Sequence, residues 1–539
     1  ISDLTGIEGF TVLQELNVDY NQLTSLNVNG AASLTGLWCR GNQLTSLDVS
    51  NNTALTYLFC NENQLTSLDV INNTALINLN CLDNQLTALD VSNNTALIYL
   101  RCEDNQLIHL NMKNGVTDQL TAFDATDNSF DCIEVNAEDV DYATENWTSG
   151  NGNIDEGVEF SVVCAPEGYT YVPDDNFEQA LIDLGYDDTL DDYVLTANIS
   201  SVTILNVSQK AISDLTGIED FTALTELWCH YNELTTLDLS ANTALTDLRC
   251  DHNEYLTGLD VSSNTALVRL DFFDCPSATS LNVTGLTNLT ELRCGSNSIT
   301  TLDVSSNADL SILTCEYNQL TSLDVSANTA LTLLICHDNQ LTSLDVSNNT
   351  AIIEIQCRNN QLTSLDVSGA TALTYLGGHS NQLTTLDVIS NTALTQLICH
   401  TNQLTSLDLS ANTDLTYLHS DGNPLTSLDV SANTSLTILS CNNNQLTNLD
   451  VSNNTALTGL WCDSNQLTNL DLSANTALTQ LDLAGNQLTY LNMKNGVTSA
   501  YTGFRVTNNS LTCIETLDPD YATANWTLAN ENIDAGVTF

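Results

Sequence analysis

Leucine recurs along most of the chain in short alternating runs that are separated by asparagine-containing turns. The segment LTYLFCNENQ (55–64) is followed by LTSLDVINNTA (65–75), and both place Leu at i and i+3, a small apolar residue at i+5 and Asn at i+8. Alternation with a period of two predicts a short strand in each half, and Asn predicts the turn that ends it. Two strands per repeat describe one coil of a solenoid.

The repeat has a period of 21 residues, and a column of cysteines marks it along the chain. We count six coils between Leu13 and Leu120, and fourteen between Leu224 and Tyr501. Repeat arrays of this kind are quasi-one-dimensional, because each coil packs only against its neighbours. The sequence therefore predicts a mainly β repeat solenoid with short strands on both faces.

Repeated text at the ends of the arrays divides the chain in two. ISDLTGIE opens the chain and returns at Ile212, and LNMKNGVT begins at Leu110 and again at Leu491. Solenoids need caps that cover their end coils. We therefore predict a first solenoid over 1–164 and a second over 165–539, each with an opening and a closing cap. The first opening cap is expected to be truncated, because the chain starts inside it.

The stretch PDDNFEQALIDLG (173–185) predicts a short helix in the second opening cap. Asp175 and Glu178 have the spacing of a capping box, and Gly185 is a typical end signal. One face of this helix is apolar and is expected to cover the first coil. Its members are Phe177, Leu181 and Leu184.

The first half of each coil, LxxLxCxxNxL, is the leucine-rich-repeat consensus with Cys in place of an inner Leu. Together with the 21-residue period, the cysteine column and the LDVSxNT return strand, it resembles the repeats of the bacterial internalin family and of secreted leucine-rich-repeat proteins of Bacteroidetes. The resemblance implies a curved, parallel solenoid for each array, so we predict two tandem right-handed solenoids. It also implies export to the medium or the cell surface, and binding on the concave strands.

The charge of the chain excludes several classes of function. There are 67 Asp and Glu against 10 Lys and Arg, a formal net charge of −57, so nucleic acid is not an expected partner. No apolar run is long enough to span a membrane. The sequence has no phosphate loop, nucleophile elbow or HExxH motif, so we predict that the protein is not an enzyme and uses no cofactor.

Cysteines fall into two groups. Those of the column face their neighbours about 4.8 Å away, a parallel stacking that rarely suits a disulfide, so we predict reduced and buried thiols. Cys132 and Cys164 lie off the column on either side of the first closing cap, and we predict a disulfide between them. The alternative is a pair of reduced cysteines in the cap.

Alternation along the LxxLxC strand turns three positions per coil outward: before the second Leu, after it, and after Cys. We call these positions the front face. All seven arginines lie there, whereas the return strand hardly changes between coils. Trp and Arg dominate interface energetics, so the front face is predicted to bind the ligand, with its arginines as positive islands for acidic groups. The alternative is that any front face varies while packing holds the back constant.

Eighteen front-face residues are predicted to contact the ligand. They are Trp38, Arg40, Phe59, Tyr99, Arg101, Trp228, His230, Arg249, Arg269, Arg293, His337, Arg358, Tyr375, His379, His400, Tyr417, His419 and Trp461.

The return strands carry a column of nine aspartates, from Asp303 to Asp471 at intervals of 21 residues. Like charges at stacking distance repel by about 1 kcal/mol per pair in water. The column predicts either a weak cation-binding face, or a solvated face stabilised by neighbouring Ser and Thr that opposes aggregation. A separate group of loop carboxylates could hold calcium without the spacing of an EF-hand. They are Asp187, Asp188, Asp191 and Asp192.

These observations predict an extracellular or cell-surface binding or adhesion module that recognises a protein or a polysaccharide through its variable front face. The alternative function is a structural scaffold, or an ion-, ice- or mineral-binding surface that uses the regular Asp/Ser/Thr face.

Overall fold

The computed structural model describes residues 1–166 and 168–539, and it confirms the predicted parallel solenoid of leucine-rich repeats. The chain divides into two compact units, Ile1–Glu167 and Gly168–Phe539, and each has its own hydrophobic core.

The first unit has a front sheet of six parallel strands, one for each of the six coils counted in the sequence. The strands are Glu15–Asn17, Gly36–Trp38, Tyr57–Phe59, Asn78–Asn80, Tyr99–Arg101 and Ala122–Asp124. A back sheet of four parallel strands comprises Ala88–Asp90, His109–Asn111, Cys132–Glu134 and Glu159–Ser161.

The second unit begins with an antiparallel pair, Tyr169–Tyr171 and Tyr193–Leu195, and continues into a front sheet of fifteen parallel strands. Those strands are Ile204–Asn206, Glu226–Trp228, Asp247–Arg249, Arg269–Asp271, Glu291–Arg293, Ile312–Thr314, Leu333–Ile335, Glu354–Gln356, Tyr375–Gly377, Gln396–Ile398, Tyr417–His419, Ile438–Ser440, Gly459–Trp461, Gln480–Asp482 and Gly503–Arg505.

This front sheet has one coil more than the sequence analysis counted. The additional strand, Ile204–Asn206, pairs with Glu226–Trp228 as its first neighbour. It carries Val202 and Val207 where other coils have Leu and Cys, and both valines are buried. The coil was missed because its core positions differ in residue type while keeping the same spacing.

Strands on the second face of this unit form only in part, contrary to prediction. They are Gly258–Asp260 with Ser280–Asn282, Ser343–Asp345 with Ser364–Asp366, and Asn469–Asp471 with Tyr490–Met493 and Glu515–Thr516. The side chain of the column aspartate accepts from the N–H two residues further on both in coils that form these strands, as in Ser347 to Asp345 at 2.9 Å, and in coils that do not, as in Ser305 to Asp303 at 2.9 Å.

Buried asparagines connect successive coils through two ladders. In the front ladder, Oδ1 of Asn339 accepts from the N–H of Leu320 at 3.0 Å, and its Nδ2 donates to the carbonyl of Cys315 at 2.9 Å. In the back ladder, Nδ2 of Asn349 donates to the carbonyls of Val325 and Asn328, at 3.0 and 2.8 Å. Because buried backbone groups must be hydrogen-bonded, each coil requires these side chains at its turns.

The helices lie in the caps. They are α1 (Val140–Asn146), α2 (Asp175–Leu184), α3 (Thr196–Ile199) and α4 (Pro519–Asn525). Short 3₁₀ turns occur at Ile7–Gly9, Thr117–Gln119, Ala137–Asp139, Ser149–Asn151, Ile218–Asp220 and Thr498–Ala500. Each closing cap buries one tryptophan, Trp147 against Phe123 at 4.2 Å between ring centroids and Trp526 against Phe504 at 4.0 Å.

Helix α2 ends at Gly185 as predicted, with φ of 81° in the left-handed region that glycine adopts without strain. Its start was predicted wrongly. The N-cap is Asp174, whose Oδ1 accepts from the N–H groups of Asn176 and Phe177. The other oxygen of Asp174 accepts from Ser213, which anchors the helix to the following segment and selects this aspartate over its neighbour.

The apolar face of α2 was also predicted only in part. Phe177 and Leu181 are fully buried, and the Phe177 ring lies 6.4 Å from that of Phe221. Leu184 is 46% exposed, because it is the last residue of the helix and lies at its rim.

Candidate functional site

The front sheets place all eighteen predicted ligand-binding residues on or directly beside their strands, in three groups. The first unit holds Trp38, Arg40, Phe59, Tyr99 and Arg101. The early coils of the second unit hold Trp228, His230, Arg249, Arg269 and Arg293, and its later coils hold His337, Arg358, Tyr375, His379, His400, Tyr417, His419 and Trp461.

Trp38 is the centre of an aromatic platform in the first unit. Its ring is stacked with those of Tyr57 and Phe59, at centroid distances of 6.4 and 6.3 Å. Gly36 makes this possible, because a Cβ at that position would lie 2.5 Å from the indole. The indole therefore lies flat against the strand. Trp461 lies over Gly459 in the same way.

The arginines do not form positive islands, which corrects the expectation from sequence. Each has at least one carboxylate partner from its own or an adjacent coil, because acidic side chains are abundant at the neighbouring front positions. The pairs are Arg40 with Asp19, Arg101 with Glu103 and Asp124, Arg249 with Asp247, Arg269 with Asp271, Arg293 with Glu291 and Asp271, Arg358 with Asp338, and Arg505 with Asp482.

Arg249 is held both by a carboxylate and by an aromatic ring. Its guanidinium donates to both oxygens of Asp247, at 3.0 and 3.2 Å, and lies 4.7 Å from the ring centroid of Trp228. A cation over an aromatic face is attracted by the ring quadrupole. The guanidinium therefore covers the indole that sequence analysis assigned to the ligand.

An apolar depression of about 450 Å³ lies on the front face of the second unit. Ile312, Leu333 and Ile335 contribute half-buried apolar side chains to it. Its other lining residues are Asp251, Asp271, Phe273, Arg293, Thr314 and Glu316. Sequence analysis missed the apolar residues, although their signal was present: SILTC and TLLIC place Ile or Leu at outward positions that are polar or aromatic in most coils.

Three histidines form a row on the later coils. The rings of His379 and His400 are 4.3 Å apart, and those of His400 and His419 are also 4.3 Å apart. Burial, together with the neighbouring His400 and Arg358, lowers the pKa of His379 to about 4. His379 is therefore a neutral imidazole at neutral pH, stacked on the ring of His400. His337 is separate and buried, with Nδ1 2.7 Å from Oδ2 of Asp338.

The cysteine column is buried and unbonded throughout the described coils. Four of the column thiols, those of Cys60, Cys81, Cys102 and Cys250, donate to a carbonyl of the next coil, as in Cys81 to Arg101 at 3.5 Å. Cys275 takes an asparagine position, and its thiol donates to the carbonyl of Cys250 at 3.6 Å. Off the column, Cys132 and Cys164 are bonded to each other in the first closing cap.

The aspartate column is held by its own coil. Oδ1 of Asp324 accepts from the N–H of Ser326 at 2.9 Å, and the hydroxyl of Ser326 also donates to this carboxylate. Hydrogen bonds from serine lower the pKa of Asp303, Asp324 and Asp408 in the same manner. One oxygen of these aspartates is thus engaged within its turn.

Carboxylates also meet in the second opening cap, although not in the predicted combination. Carboxylate oxygens of Asp175, Glu178 and Asp192 all lie within 4.8 Å of one another. Of the four predicted loop residues, only Asp192 belongs to this group. Asp187, Asp188 and Asp191 line an adjacent depression of about 330 Å³ instead. Glu178 does not form a capping box, because its Oε1 accepts from the N–H of Asp191 at 2.8 Å.

Known proteins share both the repeat and its cysteines. A solved structure of the functional domain of InlJ from Listeria monocytogenes, described as including a cysteine ladder, is 35% identical with a TM-score of 0.50; the match covers 66% of this chain and 78% of that one. The chain is a bacterial leucine-rich-repeat protein that resembles internalin J. The predicted cysteine ladder is confirmed by the buried column together with this match.

Further comparisons define how far the resemblance to internalin J extends. In sequence, internalin J of Listeria monocytogenes serotype 4b (strain F2365) is 40% identical over 73 residues, which are 14% of this chain and 8% of that protein. A leucine-rich-repeat protein of Leptospira interrogans shares the fold at 22% identity, with a TM-score of 0.51 over 62% of this chain and 91% of its own. No protein-family model matches the sequence.

The internalin-like fold is typical of protein-binding and adhesion modules in general. Among the described residues, no helix is long and apolar enough to cross a membrane.

Proposed function

We propose that the chain is an extracellular or cell-surface binding module that recognises a protein through the front face of its second unit. The observation that carries the proposal is the depression formed around Ile312, Leu333 and Ile335. These side chains are held half-exposed by a rigid parallel sheet, and burying such apolar area contributes about 25 cal/mol per Å². A preformed apolar depression with a polar rim is typical of a ligand site.

The rim determines which protein segment fits. Asp251, Asp271 and Glu316 are carboxylates, and Arg293 is the one basic residue among the lining residues, so the rim has a net negative charge even though Arg293 pairs with Asp271. A segment with an apolar anchor flanked by Lys or Arg complements this arrangement. The strongly negative chain would also accelerate its association, because complementary fields steer encounter.

A polysaccharide is the second candidate, and the platform around Trp38 favours it. Its flat indole is flanked by two further aromatic rings on the front face of the first unit. Planar aromatic surfaces are suited to stacking with a flat apolar ligand face, while the polar groups at their edges remain hydrated.

Location outside the cytoplasm forms part of the proposal. The bond between Cys132 and Cys164 supports it, since structural disulfides persist in oxidising compartments. The resemblance to internalin J points the same way. The column thiols are compatible with such surroundings because their burial protects them.

The experiment uses the full chain on arrays of extracellular proteins and of glycans, followed by affinity measurement for each ligand found. Replacing Leu333 and Ile335 by Ser is expected to weaken protein binding by about tenfold or more, because it removes the apolar anchor site. Trp38→Ala should affect only glycan binding. The matched control replaces Asp324, Asp345 and Asp366 by Asn on the opposite face.

Unchanged affinity in both front-face variants would contradict the proposal. Loss of binding in the triple aspartate variant alone would instead support the ion-, ice- or mineral-binding alternative. The return strands present the same groups in every coil, so only a repetitive ligand would match them.

A further inference from the structure

The apolar depression on the front face of the second unit contains a carboxylate that its surroundings leave unpaired. Glu316 lines the depression, and its Oε2 is buried and accepts no hydrogen bond from any described residue. A buried acceptor without a donor is costly, and folded proteins normally supply one. The side chain as a whole is half-buried, so a ligand can reach the carboxylate from the open side of the depression.

The cationic side chains near Glu316 are already paired with other carboxylates. Arg293 pairs with one carboxylate of its own coil and one of the preceding coil. On the following coils, His337 and Arg358 both pair with Asp338. Among the described residues, no lysine, arginine or histidine forms an ion pair with Glu316. A compensating positive charge would therefore have to come from a bound ligand.

Gly295 explains why this carboxylate lies where it does. It occupies the position after the cysteine column, where the coils on either side carry Phe273 and Glu316. A Cβ at Gly295 would lie 2.8 Å from Cδ of Glu316, so the carboxylate lies directly over the glycine. Phe273 lines the same depression, and aromatic faces attract cations. The absent side chain thus lets a carboxylate and an aromatic ring line one depression.

We propose that Glu316 and Phe273 form a subsite for a basic side chain, preferably arginine, of the protein segment that binds the depression. This inference rests on the proposed function and adds which group of the ligand is recognised. A guanidinium can donate two N–H groups to a carboxylate and also stack on an aromatic ring, whereas an ammonium acts as a point charge. A ligand without the cation would leave the buried oxygen of Glu316 unpaired, which gives the subsite its specificity.

The spacing of the coils limits where the basic residue can lie in the ligand. The strand Glu291–Arg293, next to Gly295, pairs with Ile312–Thr314, which in turn pairs with Leu333–Ile335. The carboxylate over Gly295 is therefore about 10 Å from the apolar side chains of the last of these strands. An extended chain advances about 3.3 Å per residue, so we expect the basic residue about three residues from the apolar anchor.

Selection of phage-displayed random peptides against the full chain in physiological salt tests the inference. We expect enriched peptides to combine an aliphatic or aromatic residue with an arginine about three residues away. Replacing that arginine by glutamine should weaken binding to the parent chain by about tenfold, and replacing it by lysine should weaken it less. Glu316→Gln should weaken binding of the arginine peptide by a similar factor.

The decisive measurement combines both changes. In the Glu316→Gln chain, exchanging arginine for glutamine in the peptide should change the affinity by less than about twofold, because the pairing partner is already gone. A merely structural role of Glu316 would weaken both peptides equally. The exchange in the peptide leaves the fold of the chain untouched, so the cycle does not depend on the stability of a variant.

Asp463→Asn is the matched control. Asp463 holds the same position of a later coil, outside the depression, so the substitution removes one negative charge away from the subsite. Distant charges are screened in physiological salt, and affinity for the arginine peptide should stay within about twofold of the parent value. A loss as large as that of Glu316→Gln would assign the effect to net charge and overturn the subsite.

The outcomes separate this inference from the proposed function. If the arginine exchange weakened binding equally in the parent and Glu316→Gln chains, the subsite would be wrong. Loss of the same peptide on replacing Leu333 and Ile335 by Ser would still support the depression as the binding site. Peptides that depend neither on Glu316 nor on Leu333 and Ile335 would contradict both proposals.

Discussion

Asparagine side chains provide the hydrogen bonds that hold the turns of neighbouring coils together. Asn349 is fully buried and donates to two carbonyls of the preceding coil, whereas the adjacent Asn348 is exposed. Replacing Asn349 by Ala should therefore lower the free energy of unfolding by about 1–3 kcal/mol, because two buried hydrogen bonds are lost. Asn348→Ala is the control and should change it by less than about 0.5 kcal/mol. Urea unfolding followed by circular dichroism measures both, and equal effects would show that the ladder is not stabilising.

Ionisation of the column thiols should lower the free energy of unfolding at alkaline pH. Burial raises the pKa of Cys357 and Cys399 to about 12. An unfolded thiol titrates near about 8.5, so between these values the folded chain binds more protons than the unfolded chain. The contribution of these thiols to the free energy of unfolding is therefore fully present below about pH 8, and it should decrease as the pH rises from there towards 12.

The measurement is the unfolding midpoint of the second unit between pH 7 and 11. A variant with Cys357→Ala and Cys399→Ala should show a shallower decrease than the parent chain, because two of the titrating groups are gone. Identical slopes would mean that other groups, such as tyrosine and lysine, account for the whole pH dependence.

At this scale the sequence predicts the columns better than the contacts within them. The spacing of Leu, Cys and Asn fixes which side chains point inward, and the buried thiols follow from it. The pairing of Arg40 with Asp19, or of Arg249 with Asp247 rather than with a ligand, depends on side-chain rotamers and on which carboxylate is nearest. The periodicity of the sequence contains no information about these rotamers or about which carboxylate is nearest.

At the scale of elements, the opening helix shows where local signals are insufficient. Proline, aspartates and glycine correctly indicated a helix near 173–185. Two consecutive aspartates could both serve as its N-cap, and the choice is made by Ser213, distant in sequence, which donates to Asp174. This tertiary contact makes Asp174 the N-cap, so Glu178 is not part of a capping box. The sequence around the helix does not contain that information.

We predict that the buried face of α2 is needed for the stability of the second unit. Phe177 is fully buried beside Phe221, so Phe177→Ala should destabilise the unit by about 3–5 kcal/mol through lost burial and a cavity. Leu184→Ala, on the same helix but largely exposed, is the matched control and should cost about 0.5 kcal/mol or less. Chemical denaturation of both variants measures the two free energies of unfolding. Similar losses would indicate that the helix contributes by its presence alone rather than through its buried face.

At the scale of the whole molecule, two separate cores predict two separate unfolding events. Asn349 packs in the core of the second unit, and Asn73 makes the equivalent bonds to Val49 and Asn52 in the first. Calorimetry of the full chain should therefore resolve two transitions. Asn349→Ala should lower the midpoint of one, and Asn73→Ala that of the other. A single transition that moves with either substitution would show that the units unfold together.

The ladders have a consequence for how such a chain changes over generations. Every coil presents to the next the same carbonyls, N–H groups and apolar positions, so a gene duplication or deletion of 63 nucleotides, three for each of 21 residues, leaves every remaining contact in register. The heritable unit of change is then a whole coil. Losing one shifts all later front-face side chains by about 4.8 Å along the stack without altering their order. Recombination between near-identical repeats would thus change the distance between binding groups only in steps of one coil.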